Sequence, residues 1–281
     1  MKALFVRVAP RRVAVTAIAA AAAAVAAGSV MPGSAGAAGS APHPRPIIAL
    51  HSGQSSNWFG YNQGIIEKGK PFQQVAGDWT VPTAKQRVRG QAEDSATWVG
   101  IGGGCLDTNC TVTDQTLIQA GTSQDVASNG AASYFAWWEL IPAPSLTITG
   151  LTVRPGDHMH VDIRQLAPGV WTITLRDITR NETFTQTVPY SSTMATAEWI
   201  AETPTIISSS GTSLATLPTL STVRFDLAQA DNAPANLNTA ERIFLVNSSN
   251  RVIGAPSAPD SDRDGFNACA NAATCSAPAG S

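Results

Sequence analysis

Charged side chains are scarce in this sequence of 281 residues. Asp, Glu, Lys and Arg together make up 14% of it, whereas hydrophobic residues make up 43%. This composition is typical of a globular protein with a packed core and excludes a disordered chain. The formal net charge is only −2. It therefore gives no electrostatic basis for binding nucleic acid or a negatively charged membrane surface.

Histidine is also rare, which narrows the possible catalytic mechanisms. The four histidines are His43, His51, His158 and His160. A serine or cysteine nucleophile usually needs a histidine base, and no Gly-x-Ser-x-Gly sequence occurs. His158 and His160 lie on one face of a predicted strand and could bind zinc, but the sequence offers no evident third ligand. We interpret them as ordinary strand histidines and expect neither a metal nor a cofactor.

Only four cysteines occur, and all lie beyond the N-terminal segment. An even number of cysteines in an exported chain favours disulfides over metal ligands or a nucleophile. Pairing of near neighbours, Cys105–Cys110 and Cys269–Cys275, closes two small loops and is the economical connectivity. Three pairings are formally possible, and the sequence does not choose among them.

The N-terminus has the features of a secretory signal peptide. Basic residues precede an apolar run from Val13 to Ala26, and Ala35-Gly36-Ala37 fits a signal-peptidase site. The apolar run is short for a segment that spans about 30 Å of hydrocarbon. We therefore interpret 1–37 as a signal peptide and 38–53 as a short propeptide or flexible arm, which leaves 54–281 as one domain. The protein is expected to be secreted and extracellular, with no stable membrane association.

Short β-type runs separated by Gly, Pro and Asn dominate the chain from Ser55 onward. In Trp171-Thr-Ile-Thr-Leu175, for example, the three apolar side chains lie on one face. This pattern predicts an all-β sandwich or barrel with little helix, the one helical candidate being Ala235 to Glu241. The predicted strands include Gln74–Val81, Ala96–Ile101, Thr116–Ala120, Ser133–Leu140, Ser145–Val153, His158–Ile163, Val170–Leu175, Thr183–Val188, Thr222–Phe225 and Ile243–Val246.

One acidic segment near the C-terminus resembles the start of a calcium-binding loop. Asp260 to Gly265 has the spacing of the first half of an EF-hand loop, but Asn271 stands where the bidentate Glu is needed. We interpret the segment as an acidic surface loop.

Carboxylates are the remaining candidates for acid–base chemistry. Glu139, Glu198 and Glu202 each lie in an aromatic, apolar β context. A half-buried carboxylate among tryptophans has a pKa that its surroundings can shift, which suits a general acid or base. The same pattern is equally typical of a structural carboxylate that is hydrogen bonded inside a sandwich.

Seven segments, in the same order, resemble the glutamic peptidases, or eqolisins. The resemblance extends over about residues 55 to 250, and it implies a sandwich of two large antiparallel, concanavalin-like sheets. The segments are Ser56-Asn57-Trp58-Phe-Gly60, Trp79-Thr-Val-Pro82, Trp98-Val-Gly-Ile101, Leu117-Ile-Gln119-Ala-Gly121, Tyr134-Phe-Ala-Trp-Trp-Glu139-Leu-Ile-Pro142, Pro155-Gly-Asp157 and Ala197-Glu-Trp-Ile-Ala-Glu202.

The resemblance also implies an acid endopeptidase with Gln119 and Glu202 as its catalytic pair. Glu202 would act as general base and then as general acid, while Gln119 would orient the water and stabilise the oxyanion. By the same resemblance, the substrate groove would be lined by Trp58, Trp98, Trp137 and Glu139. For the tryptophans, packing in the sandwich core is an equally good interpretation.

Gly102 and Phe135 stand where the family often has acidic residues in the substrate groove. The resemblance therefore does not predict which substrate side chains the groove prefers. The expected partners are protein or peptide substrates, and we expect a monomer. Two other functions fit a secreted β-sandwich, namely carbohydrate binding by exposed tryptophans and glycoside hydrolysis by two of the glutamates.

Overall fold

Strands account for most of the chain in the computed structural model, which describes residues 42–43, 45–208 and 211–279. The predicted signal peptide lies outside the described residues. The strands are β1 Pro42–His43, β2 Ala49–His51, β3 Gln54–Ser55, β4 Trp58–Gly64, β5 Gln74–Thr80, β6 Ala84–Lys85, β7 Ala96–Gly102, β8 Leu117–Val126, β9 Ala132–Leu140, β10 Leu146–Ile148, β11 His158–Ala167, β12 Val170–Asp177, β13 Glu182–Pro189, β14 Thr196–Glu202, β15 Thr205–Ser208, β16 Gly211–Leu214, β17 Thr219–Leu220, β18 Val223–Ala230, β19 Ala233–Pro234, β20 Arg242–Val246, β21 Val252–Pro256 and β22 Phe266–Ala270.

Two large antiparallel sheets contain most of these strands, which confirms the predicted all-β sandwich. The first sheet has the order β10-β9-β8-β7-β14-β4-β20. The second sheet has the order β13-β12-β11-β5-β18-β22-β21-β20. Because β20 pairs with a strand of each sheet, the two sheets are joined along one side.

Alternating side chains from the two sheets form the main core. Trp171, Ile173 and Leu175 of β12 are buried in it, as their spacing predicted, and Trp199 of β14 joins them from the first sheet. Every residue of β14 is buried. A strand at the surface of a sandwich normally exposes its outer face. Burial of the outer face of β14 therefore indicates that something covers it.

Both predicted disulfides are present, Cys105–Cys110 and Cys269–Cys275. The predicted helix from Ala235 to Glu241 is wrong, because only a 3-10 turn, Thr239–Glu241, forms there. Asn236 has a positive φ of 54°, which interrupts a right-handed helix.

Elsewhere in the described chain, helix is limited to α1, Ile65–Lys68. Within the described residues, no helix has the length and apolarity to cross a membrane.

Residues 45–51 belong to the segment interpreted as a propeptide or flexible arm, and they lie against the folded body. Strand β2 pairs with β3, which in turn pairs with β20. The Ile47 side chain is buried, and its backbone N–H donates to the carbonyl of Gly103 at 2.8 Å. Whether this segment is removed stays a prediction.

Candidate active site

The two proposed catalytic side chains stand on strands that share β7 as a neighbour. Glu202 ends β14 and pairs with Ala96 of β7. Gln119 lies in β8 and pairs with Gly100 of the same strand. The β7 partners of Glu202 and Gln119 are therefore four residues apart along that strand. Because residues an even number apart in a strand point to the same side, the Glu202 and Gln119 side chains lie on one face of the first sheet.

Trp98 lies on β7 midway between Ala96, the partner of Glu202, and Gly100, the partner of Gln119. Its indole Nε1 donates to Glu202 Oε2 at 2.8 Å. Its ring lies toward Gly100, where a Cβ would be 3.0 Å from Trp98 Cζ3 and 3.1 Å from Gln119 Cβ. The missing side chain at Gly100 thus leaves room for the indole, which extends from the carboxylate of Glu202 toward the strand of Gln119.

The carboxylate of Glu202 is fully buried and accepts hydrogen bonds on both oxygens. Besides Trp98, its donors are the backbone N–H of Arg45, at 3.2 Å from Oε1, and Nδ2 of Asn57, at 3.4 Å from the same oxygen. Burial raises the pKa of Glu202 well above its usual value, and the nearby Glu139 carboxylate raises it further. The three donors oppose this shift because they stabilise the ionised form.

Gln119 is held by the second carboxylate of the site. Its Nε2 donates to Glu139 Oε2 at 2.7 Å, and both side chains are buried. Burial raises the pKa of Glu139 to about 8, although the Gln119 hydrogen bond and the positive charge of Arg45 lower it. Among the described residues, Gln119 Oε1 has no hydrogen-bond partner. An acceptor and one amide hydrogen of Gln119 therefore remain available to a ligand.

Glu198 lies in different surroundings, although it shares a face of β14 with Glu202. Both of its oxygens are buried and have no hydrogen-bond partner within the described part of the chain. A Cβ at Gly104 would lie 2.5 Å from Glu198 Oε1 and would collide with the Asn62 side chain. Burial raises the pKa of Glu198 well above its usual value, as does the neighbouring Asp114 carboxylate. Glu198 is thus sealed beneath the backbone at Gly104.

The three tryptophans predicted to line the groove lie together in a buried cluster separate from the main core. Trp58 and Trp98 meet edge to face, with ring centroids 4.9 Å apart. Trp58 Nε1 donates to the carbonyl of Arg45 at 3.0 Å. Trp137 Nε1 is buried without a partner among the described residues. Ile47 belongs to the same cluster, so the N-terminal segment covers these rings.

The two strand histidines share one carboxylate on the second sheet. His158 Nε2 lies 2.7 Å from Asp78 Oδ2, and His160 Nδ1 lies 2.5 Å from Asp78 Oδ1. Each imidazole thus has a hydrogen-bond partner, as expected for ordinary strand histidines.

The acidic loop near the C-terminus contributes to a group of three carboxylates. Asp226, Asp260 and Asp264 bring carboxylate oxygens within 4.8 Å of one another. Asp260 Oδ1 accepts the backbone N–H groups of Asp264 and Gly265, which organises this loop.

Sequence reasoning missed Asn57 and Arg45. Asn57 stands in one of the seven segments that resemble the glutamic peptidases, but nothing in the spacing indicated contact with Glu202, 145 residues further along the chain. Arg45 lies in a segment whose composition indicated only flexibility. Both contacts are long-range consequences of the fold.

Comparisons with known proteins agree with the resemblance. Residues 56–263 match the peptidase A4 family. Aspergillopepsin-2 of Aspergillus niger is 24% identical, over 68% of this chain and 70% of that protein. Scytalidopepsin B of Scytalidium lignicola is 28% identical, over 53% of this chain and 50% of that protein. The solved structure of scytalido-glutamic peptidase with a transition state analog inhibitor has a TM-score of 0.57 at 19% identity, covering 76% of this chain and 98% of that one.

Proposed function

The chain belongs to the peptidase A4 family and is a glutamic-type endopeptidase, and on this premise we propose that Gln119 and Glu202 activate the water that hydrolyses the peptide bond. The observation that carries the proposal is the hydrogen-bonding state of the two side chains. Glu202 is a buried carboxylate oriented by an indole N–H, and Gln119 is a buried amide that is fixed on one side and free on the other.

In this mechanism Glu202 takes a proton from water while the water oxygen attacks the carbonyl carbon of the scissile bond. The protonated Glu202 then donates to the leaving nitrogen, so that one carboxyl group serves as base and then as acid. Trp98 keeps the carboxylate in a fixed orientation through both steps. A donor that is positioned before the reaction starts costs no reorganisation in the transition state.

Gln119 supplies the two other interactions that the reaction needs. Its free Oε1 accepts a hydrogen from the attacking water, and its second Nε2 hydrogen donates to the developing oxyanion. The first Nε2 hydrogen is used to bind Glu139, which fixes the rotamer of the amide. We assign Glu139 to the positioning of Gln119, in addition to the groove role that the resemblance implies.

The proposal includes activity at acidic pH on protein or peptide substrates outside the cell. A carboxylate base remains usable under conditions that protonate a histidine, and the candidate site contains no histidine. The carbohydrate-binding alternative is disfavoured because a binding module has no need of a buried Gln119 amide that is fixed by the Glu139 carboxylate.

The test compares two isosteric variants of the same strand. Glu202→Gln cannot act as a base and should abolish cleavage of an unfolded protein at every pH, with the fold unchanged by circular dichroism. Glu198→Gln should retain activity, because among the described residues no hydrogen bond joins the Glu198 carboxylate to Gln119 or Glu202. An exchange of the two phenotypes would move the base to Glu198. Cleavage of polysaccharide but not of protein would support the glycosidase alternative.

A further inference from the structure

Three carboxylates converge at the second sheet, and we call them the aspartate cluster. Asp226 lies on β18, while Asp260 and Asp264 lie in the loop between β21 and β22. One carboxylate oxygen of each aspartate lies within 4.8 Å of the other two. Gln119 and Glu202 stand on strands of the first sheet. The proposed catalytic mechanism therefore makes no use of the aspartate cluster.

The pairing of β18 with β22 brings Asp226 to the loop. Phe225 pairs with Phe266 in antiparallel register. The next residue of β18, Asp226, therefore stands opposite Gly265. A Cβ at Gly265 would lie 2.1 Å from Asp260 Oδ2 and 3.1 Å from Asp226 Oδ1. The missing side chain at Gly265 thus leaves the space in which these two carboxylates approach each other.

The fold supplies a carboxylate that the calcium-loop pattern lacked in the sequence. In an EF-hand loop that begins at Asp260, the fifth position is Asp264, and the twelfth, which needs a bidentate carboxylate, is Asn271. Asp226 belongs to a different strand but adds its carboxylate to the same cluster. The pattern is therefore incomplete within the loop and is complemented from outside it.

No basic side chain in the described part of the chain forms an ion pair with the aspartate cluster. The ion pairs found there all involve other acidic residues. Arg263 lies within the loop, but its guanidinium donates to the carbonyls of Leu237 and Asn236. Ionised carboxylates at this separation repel one another. A bound cation would neutralise them.

Two shielded oxygens at the aspartate cluster have no hydrogen-bond partner among the described residues. Asp264 is the most deeply buried of the three aspartates, and one of these oxygens is its Oδ1. The other is Asn267 Oδ1, since the Nδ2 of that amide donates to the Ser276 carbonyl. Asn267 lines the same cavity of about 340 Å³ as Asp226 and Asp260. A buried acceptor without a donor is unfavourable, so both oxygens indicate a ligand that accepts electron pairs.

We propose that the carboxylates of Asp226, Asp260 and Asp264 form a calcium site that fastens the C-terminal loop to the second sheet. Several carboxylates together with an amide oxygen suit Ca²⁺, whereas Mg²⁺ usually retains several waters and takes one or two carboxylates. The three residues offer none of the nitrogen or sulfur ligands that structural zinc sites use. The ion joins β18 to the loop before β22, so its binding stabilises the folded chain and takes no part in catalysis.

The first experiment titrates calcium into the full chain near pH 7, where aspartates are ordinarily ionised, after dialysis against a chelator. Isothermal titration calorimetry should show one ion per chain with a Kd of about 10⁻⁴–10⁻³ M, the range of extracellular calcium modules. Asp226→Asn and Asp264→Asn should each weaken binding at least about tenfold, because each variant removes a ligand charge. Asp226 is exposed, so its variant should fold even if the other does not.

Asp162→Asn is the matched control. It removes the same charge from another strand of the second sheet, where Asp162 already pairs with Arg164. Calcium affinity should therefore stay at that of the wild-type chain.

A second measurement reads stability instead of binding. Calcium at about 10 mM should raise the Tm of the wild-type chain by about 3–10 °C, and that of Asp226→Asn by much less. Sodium chloride of equal ionic strength controls for screening of surface charges and should not reproduce the rise.

Four outcomes would overturn the proposal. The first is no binding by the wild-type chain up to about 10 mM calcium, well above the expected Kd. The second is binding that is undiminished in both Asp226→Asn and Asp264→Asn. The others are a rise in Tm that sodium chloride reproduces and an affinity for magnesium equal to that for calcium.

Discussion

Replacing Trp98 by Phe isolates the effect of one hydrogen bond on the proposed base. The substitution keeps an aromatic ring over Gly100 but removes the Nε1–H that lies 2.8 Å from Glu202 Oε2. That donor stabilises the ionised carboxylate, so its removal raises the pKa of Glu202. A hydrogen bond to a charged group contributes about 1.5–3 kcal/mol, and one pKa unit corresponds to about 1.4 kcal/mol. The expected upward shift is therefore about 1–2 pH units.

The assay measures kcat/KM for a quenched fluorescent peptide at closely spaced pH values, because kcat/KM reports the ionisation of the free enzyme. Since the base must be ionised, the acidic limb of the profile should move to higher pH in Trp98→Phe. Trp137→Phe is the control, because Trp137 Nε1 is equally buried but has no partner among the described residues. A limb that stays in place or moves to lower pH would refute Trp98 as a donor to the base. So would an equal shift in both variants.

Three further predictions concern the amide, the pH dependence of stability and metal ions. Gln119→Ala should lower kcat by about 100–1000-fold through loss of an oxyanion donor. Gln115→Ala changes an exposed residue and should lower kcat only slightly. Equal losses of kcat in the two variants would contradict the assignment of Gln119 to the oxyanion. Burial raises the folded-state pKa values of Glu139 and Asp125 to about 8. Both groups are protonated in the folded and the unfolded protein at pH values below their ordinary pKa, but above it the unfolded protein gains stability by releasing their protons. The free energy of unfolding therefore falls as pH rises toward 8. Urea unfolding should accordingly give a lower unfolding free energy at pH 8 than at pH 4 and a flatter dependence in Glu139→Gln, and greater stability at pH 8 would count against these shifts. Dialysis against a strong chelator should leave turnover unchanged, and a loss of activity that zinc restores would contradict a metal-free mechanism.

Most of the strands could be predicted from alternation, because a sheet with one face in the core repeats every two residues. Strand β12 is a clear case. Strand β8 was predicted to end at Ala120 and instead continues to Val126, because Thr122 and Gln124 are buried polar residues with hydrogen-bond partners. Composition alone predicts such residues to be exposed.

The candidate site was predictable only as a set of residues, through the ordered resemblance of seven segments. How these residues contact one another depends on pairings between strands far apart in sequence. Strand parity did not separate Glu198 from Glu202, whereas the fold separates them by their neighbours, Gly104 over one and Trp98 against the other. The packing of residues 45–48 against the site was not predictable, because most of its hydrogen bonds are formed by backbone atoms, which carry no sequence signal.

The position of the proposed catalytic pair within paired strands has a consequence for heat inactivation. Strand β8 pairs with β7 and β9, and β14 pairs with β4 and β7, so Gln119 and Glu202 are flanked by hydrogen-bonded neighbours on both sides. Catalytic groups on loops can lose alignment through local opening long before the molecule unfolds. Here misalignment requires the first sheet itself to separate, which is a cooperative event. A partly heated sample should then be a mixture of fully active and fully unfolded molecules. Its residual activity should equal the fraction of molecules that remain folded.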